Sequence, residues 1–326
     1  MTWLITGGAG YIGSHVVREM AGRESVVVLD DLSTGRAERL PQDVPLVVGS
    51  VLDGGLLERV LAEYAVTGIV HLAGKKQVAE SVARPLHYYR ENVEGLRVLL
   101  DAAAAAGVPR FLFSSSASVY GMPDVDLVTE ETPCRPLSPY GETKLAGERM
   151  VAAAGSAHGM ATASLRYFNV AGAASAELAD EGVFNLVPMV FERLTGNEAP
   201  RVFGDDYPTP DGTCVRDYIH VEDIASAHVE AARRLERDPA ARLVLNVGTG
   251  KGASVTEMID VILDVTGRTG LAPVTEARRP GDPARVVASA DAIRRELDWS
   301  ARHDVRAMVE SAWAGWCLRH GLPVPA

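Results

Sequence analysis

Cysteine is scarce. The 326 residues contain three, Cys134, Cys214 and Cys317, odd in number and far apart. They show no metal-ligand spacing and read as reduced thiols in a cytoplasmic protein rather than a disulfide framework. Long apolar runs are missing too: no stretch approaches the roughly 18 uninterrupted apolar residues of a membrane-spanning helix. No basic segment followed by an apolar run precedes Trp3, so no leader peptide is expected. Basic charge is in deficit, with 32 Lys and Arg against 43 Asp and Glu and a net charge of −11. That argues against non-specific nucleic-acid binding, which relies on Lys and Arg to displace phosphate counterions. A nucleotide ligand stays open, because a pocket can be locally basic. No internal repeat or low-complexity tract is found.

What is present is an ordinary globular composition, 47% hydrophobic and 23% charged. The length suits one or two domains of about 100–200 residues. Short apolar runs alternate with longer helical patterns. Strands are predicted at Trp3–Thr6, Val26–Leu29, Leu46–Val48, Gly68–His71, Arg110–Phe113 and Ala161–Arg166. Helices are predicted at Ile12–Gly22, Leu56–Tyr64, Pro85–Ala106 and Ser138–Ala154, Pro85 sitting at a helix start and Gly107 just past an end. This β-α-β-α order throughout predicts a parallel sheet covered on both faces, a doubly wound α/β fold. The second half is less regular. Helices are expected at Val183–Leu194, Val221–Leu235, Ser254–Thr266 and Val305–Leu318, with a loop over Gly204–Gly212. The alanine run to Ala106 is a helix face suited to close packing, either across a dimer or against the sheet.

Gly7-Gly8-Ala9-Gly10-Tyr11-Ile12-Gly13 follows the first strand and opens the first helix. Gly7, Gly10 and Gly13 there let backbone N–H groups approach a pyrophosphate at a helix N-terminus, where the helix dipole favours anions. A tight turn without a ligand is the bland alternative. Asp30 ends the second strand, where a carboxylate can accept from adenosine ribose hydroxyls and would repel a 2′-phosphate. NAD is therefore favoured over NADP, with Asp31 adding to the negative field and Arg36 as the one counter-signal. A solvated turn residue is the alternative for Asp30.

The fifth strand runs into Ser114-Ser115-Ser116, at the strand end where open α/β sheets bind ligands. Tyr140 and Lys144 stand one helical turn apart and face the same side. A free phenol titrates near pH 10 and is a poor base at neutrality. A nearby ammonium and a positive nicotinamide ring favour the phenolate and lower that pKa. Tyr140 can then take a proton from a sugar hydroxyl as hydride leaves the same carbon, with Ser116 aligning the oxygen.

These residues together resemble the extended short-chain dehydrogenase/reductase family, and within it the UDP-glucose (UDP-galactose) 4-epimerases, over essentially the whole chain. The matching stretches are Thr6–His15, His71–Lys76, Ser114–Gly121, Ser138–Lys144, Leu165–Asn169, Asp211–Val221 and Arg279–Asp282. Asp211–Val221 is the most specific. The resemblance implies a Rossmann-type sheet, residues 1–169, with a smaller α/β substrate domain, 170–326, some segments of which return to the first. It implies tightly bound NAD, a UDP-sugar substrate, no metal and a homodimer formed by the helices around Pro85–Ala106 and Tyr140–Ala154.

By position, Ser116, Tyr140 and Lys144 match the catalytic trio. Tyr11, Ile12, Asp30, Asp31, Leu32, Ser33, Thr34, Gly35, Leu72, Ala73, Gly74, Lys76, Asn92 and Phe168 match cofactor contacts. Asn169, Asn185, Leu186, Phe203, Arg216, Tyr218, Arg279 and Asp282 match the UDP-sugar site. Arg216 and Arg279 can meet two phosphates with planar donor forks, and Asp282 can accept from ribose hydroxyls. Each arginine alone reads equally well as a surface ion-pair residue. Ser50, with Val51 beside it, stands where the family often has an acidic residue near the adenine amine. Val286 matches a position whose size is associated with refusing or accepting N-acetylated sugars, so those substrates stay open. Ala117 and Ser118 stand where sugar dehydratases carry an Asp-Glu pair, which leaves no evident acid and base for eliminating water. The implied activity is interconversion of UDP-galactose and UDP-glucose through a 4-keto sugar. The alternatives are a 4-epimerase of UDP-N-acetylhexosamine or UDP-glucuronate, and a non-catalytic NAD-binding regulator.

Overall fold

The computed structural model describes residues 1–279 and 281–323. Pro280, within the Arg279–Asp282 stretch, lies outside them. Strand β1 (Thr2–Thr6) leads into helix α1 (Tyr11–Ala21), then β2 (Ser25–Asp30), β3 (Leu46–Val48), α2 (Gly54–Glu63) and β4 (Gly68–His71). Helices α3 (Val78–Ala83), α4 (Pro85–Tyr88) and α5 (Gly95–Ala105) follow, then β5 (Arg110–Ser116), α6 (Pro139–His158) and β6 (Ala161–Tyr167). The second half holds β7 (Asn169–Ala171), α7 (Leu186–Thr195), β8 (Arg201–Phe203), β9 (Val215–His220), α8 (Val221–Arg237), β10 (Arg242–Val247) and β11 (Gly252–Ser254). It closes with α9 (Val255–Thr266), β12 (Val274–Glu276), β13 (Arg285–Val286), α10 (Asp291–Leu297) and α11 (Val305–His320).

Seven strands form one sheet in the order β10-β6-β5-β4-β1-β2-β3. Every neighbouring pair in it is parallel. The doubly wound α/β fold read from the sequence is present. Alternation along β1 explains why both faces are covered, since side chains of successive residues point to opposite faces. Trp3 and Ile5 join a core shared with Val16, Val17 and Met20 of α1 and Ile224 of α8. Leu4 joins the opposite core with Leu57 and Leu61 of α2, Leu96 and Leu99 of α5 and Val151 of α6. The seventh strand, β10, comes from far beyond residue 169, so the chain returns to this sheet after leaving it. A third core gathers Phe191 and Leu194 of α7, Ile259 and Ile262 of α9, and Val309, Trp313 and Trp316 of α11. Beside it β9 carries β7, β11 and β13.

β2 and β3 are joined by a short 3₁₀ turn at Ala37–Arg39, with no α-helix in the segment, as none was predicted there. Two elements depart from expectation. The expected helix Pro85–Ala106 is broken by a π-helical turn at Tyr89–Glu94, and α3 precedes it. Such turns re-aim side chains and recur at functional sites. β5 runs three residues further than predicted, because Ser114, Ser115 and Ser116 pair with Leu165, Arg166 and Tyr167 of β6. Sheet pairing there overrides the modest strand preference of serine.

Candidate active site

The carboxyl ends of β1, β2, β4, β5 and β6 open into a cavity of about 1060 Å³. That is at the top of the range of about 300–1,000 Å³ usual for small-molecule pockets. The order β4-β1-β2 puts the glycine turn at its centre. Gly7 has φ +72°, and a Cβ there would stand 2.6 Å from the Ala73 nitrogen. A Cβ at Gly13 would lie 2.1 Å from the Gly7 oxygen, so α1 can meet the turn this closely only without a side chain at 13. Gly10 caps α1 without a side-chain acceptor for its first N–H groups, and it lines the cavity. This cradle fits a dinucleotide pyrophosphate.

Asp30 lies against the same turn. Its carboxylate accepts from the N–H of Ala9 at 2.9 Å and of Leu32 at 2.8 Å, while burial pushes its pKa up. Asp31, Ser33 and Thr34 line the cavity with Ser50, Val51, Leu72, Ala73, Gly74 and Lys76. Leu32 and Gly35 shape the loop from behind; Gly35 has no room for a Cβ beside Asp30. Arg36 is committed to Glu181 at 2.5 Å.

At the far end, Ser138 caps α6 by accepting from the Gly141 N–H at 3.2 Å, with Pro139 at the first helical position. This fixes the start of α6, whose first two turns carry Tyr140 and Lys144 into the cavity beside Ser116 at the end of β5. The Lys144 ammonium donates to the Ser114 carbonyl at 2.7 Å and sits 6.0 Å from the Tyr140 ring centre. Burial lowers its pKa to about 8, against the pull of Glu148 one turn further on. Without a nicotinamide ring beside it, burial raises the pKa of the Tyr140 phenol, and the hydrogen bond from Ser116 works the other way. The Lys144 ammonium keeps its charge while bonded to the Ser114 carbonyl, and a further positive charge in the cavity would add to its pull on the phenol.

Behind β5 a buried pair holds this arrangement. Arg166 on β6 meets both Glu148 oxygens, Nε to Oε1 at 2.8 Å and Nη2 to Oε2 at 2.7 Å. Glu148 also accepts from Ser115. Arg166 further donates to the Tyr120 hydroxyl, which donates to Asn246 on β10 at 2.6 Å. Nothing in the spacing of these residues announces the network.

Among residues read as substrate contacts, Asn169, Asn185, Arg216, Asp282 and Val286 line the cavity, as does Phe168 of the cofactor set. Arg216 approaches Asp282 at 3.8 Å. Arg279 stacks on Phe203, its guanidinium carbon 3.7 Å from the ring centre, and neither is in the lining. Leu186 and Tyr218 pack into the third core instead. Asn92 is buried outside the lining and braces the loop at Lys75. Within Asp211–Val221, Arg216 alone reaches the cavity. Asp217 accepts from the N–H groups of Thr249, Gly250 and Ala288, so much of that string secures the strands around it. Lys75, Arg39, Asp180 and Glu181, on connecting segments, and Tyr167, at the end of β6, also line the cavity and were given no site role from the sequence.

A glycine-cradled dinucleotide groove continuous with a Ser/Tyr/Lys cluster defines a nucleotide-dependent oxidoreductase-type site, and the chain belongs to the NAD-dependent epimerase/dehydratase family, whose model matches residues 3–248. It is 46% identical over 308 residues to a UDP-glucose 4-epimerase of Azospirillum brasilense, covering 92% of this chain and 87% of that one. It is 43% identical over 319 residues to the UDP-glucose 4-epimerase of Corynebacterium glutamicum, covering 96% and 95%. A crystal structure of a UDP-glucose 4-epimerase from Stenotrophomonas maltophila, with bound NAD and formylated UDP-arabinopyranose, superposes with a TM-score of 0.93. The two are 38% identical, with 98% and 99% of the chains covered.

Proposed function

We propose that this protein is a UDP-glucose 4-epimerase, interconverting UDP-galactose and UDP-glucose with a tightly held NAD. The observation that carries the reading is the placement of Ser116, Tyr140 and Lys144 in the same cavity as the glycine cradle. The relatives at 46% and 43% identity over nearly the whole chain support it. When bound, NAD supplies the hydride acceptor and donor at the sugar's C4. The Gly7–Gly13 turn, Asp30 and Lys76 would hold it. Tyr140 removes the O4 proton and later returns it to O4 once the sugar presents its other face, while Ser116 donates to that oxygen and aligns it. Lys144, anchored on the Ser114 carbonyl, keeps a positive charge near the phenol and favours its ionised form. Arg216, which lines the cavity, and Arg279, which stacks on Phe203, would meet the UDP phosphates and keep the keto sugar tethered while it turns over.

Ala117 and Ser118 line the cavity next to Ser116 with a methyl and a hydroxyl. The keto sugar therefore meets no carboxyl pair at these positions, which disfavours dehydration. Val286 lines the pocket as a medium-sized side chain, so UDP-N-acetylhexosamines are the second substrate class to assay. Interconversion of UDP-galactose and UDP-glucose would serve galactose metabolism, and the three free cysteines suit the cytoplasm. No described helix is long and apolar enough to cross a membrane. A homodimer is part of the proposal, supported by exposed Val78, Val82 and Leu86 ahead of α5.

Tyr140→Phe tests the reading. Turnover of UDP-galactose should fall by at least about a hundredfold, the low end of general acid–base contributions, while NAD still copurifies. Unchanged turnover would sink the assignment.

A further inference from the structure

The chain has four lysines, and three of them, Lys75, Lys76 and Lys144, line the cavity. Lys75 is the one without a role above. It follows β4, and its ammonium donates at 3.1 Å to the hydroxyl of Ser33, which follows β2. Because β4 and β2 flank β1, this bond joins the loops on either side of the glycine turn, across roughly 10 Å or two inter-strand spacings. On the Ser33 side the bond continues into Asp31, whose carboxylate accepts from the Ser33 N–H at 2.9 Å. The lysine's charge also helps hold the pKa of Asp31 below the usual carboxylate range, after its bonds from Ser33.

The backbone of Lys75 is fixed independently. The buried Asn92 amide grips it from both sides, accepting from its N–H at 2.7 Å and donating to its carbonyl at 3.0 Å. The same amide donates to Thr143 at 3.0 Å, and Thr143 donates to the Tyr140 carbonyl at 2.8 Å. The π-helical turn at Tyr89–Glu94 carries Asn92 into this position. One connected path thus runs from the turn bearing Tyr140, through Asn92 and Lys75, to the loop after β2.

We propose that Lys75 is a cofactor latch: its bond to Ser33 closes the groove over the glycine turn, so that a dinucleotide leaves only after the bond breaks. This rests on the reading of the cavity as an NAD site. It adds to that reading a residue which sets how long the cofactor stays. An enzyme that reuses one NAD through every cycle needs slow release more than fast exchange.

The test is NAD release from the full-length protein, saturated with NAD, gel-filtered and sampled over time for retained cofactor. Lys75→Met keeps the aliphatic stem and should speed release about tenfold, equivalent to 1.4 kcal/mol. Ser33→Ala should do the same, and the double variant should be little worse than either, because both remove one bond. The half-saturating NAD for epimerisation should rise in step, with added NAD restoring turnover. Release unchanged in both single variants, or fully additive effects in the double, would overturn the latch. Loss of NADP but not NAD retention in Lys75→Met would also overturn it and make Lys75 a 2′-phosphate contact. A wild-type protein that holds no NAD would refute the underlying reading itself, which separates the two failures.

Discussion

Replacing Arg166 with Met removes one partner of a pair that lies directly behind the candidate catalytic strand. Both side chains are 6% exposed, and Arg166 meets both oxygens of Glu148. The substitution strands a carboxylate away from water, leaving it the Ser115 hydroxyl. Breaking a buried pair in this way costs about 3–5 kcal/mol. Against a total stability of about 5–15 kcal/mol this is a large fraction. Urea unfolding followed by fluorescence should show a much lower midpoint with an unchanged slope. The companion variant Arg166→Met with Glu148→Leu removes both charges and should recover most of the loss, since apolar replacements of buried pairs are often close to neutral. Activity of the single variant should fall as well, because Glu148 lies one turn from Lys144. A loss below about 1 kcal/mol, or a double variant no better than the single, would refute the reasoning, the first being the range of exposed pairs.

Gly13→Ala should purify without NAD while keeping its helical circular dichroism, because its Cβ would stand 2.1 Å from the Gly7 oxygen and force the turn open; the ratio of absorbance at the nucleotide and protein bands reads this. Stability should fall on mild acidification. Burial holds His71 neutral with a pKa near 3, and His15 and His228 near 4. Each folded value lies below the free one, so the unfolded chain takes the proton first and stability present above about pH 6.5 is lost toward pH 4. Three such groups give a slope of up to about 4 kcal/mol per pH unit near pH 5. Asp30 and Asp217, pushed up by burial, act in the opposite sense and blunt it lower down. Urea midpoints at pH 7, 6 and 5 check the sign; a flat series would contradict it.

The glycine turn, the strand ends and the Tyr140/Lys144 spacing were legible because each depends on local pattern: strand, turn, helix, and one helical turn of separation. The capping role of Ser138 follows from the same local rules. What stayed hidden was set by distant pairing. No periodicity in the segment around 242–247 says that it will be the seventh strand of the first sheet, because its partner β6 lies some 80 residues upstream. The π-helical turn reads as continuous helix, since the residues of Tyr89–Glu94 do not differ in helical preference from their neighbours. Asn92 was matched as a cofactor contact, but its amide is used on Lys75 and Thr143, a use visible only once the loops are placed. Phe203 and Arg279 were noted apart, and the structure stacks them.

The most direct measurement is conversion of UDP-galactose labelled with deuterium at C4, with no NAD added. UDP-glucose should form at a steady rate and carry the deuterium still at C4, because the hydride that leaves the sugar returns to it without meeting solvent. No product even with NAD supplied, or product that has exchanged its C4 label with water, would contradict the assignment of this site as a 4-epimerase.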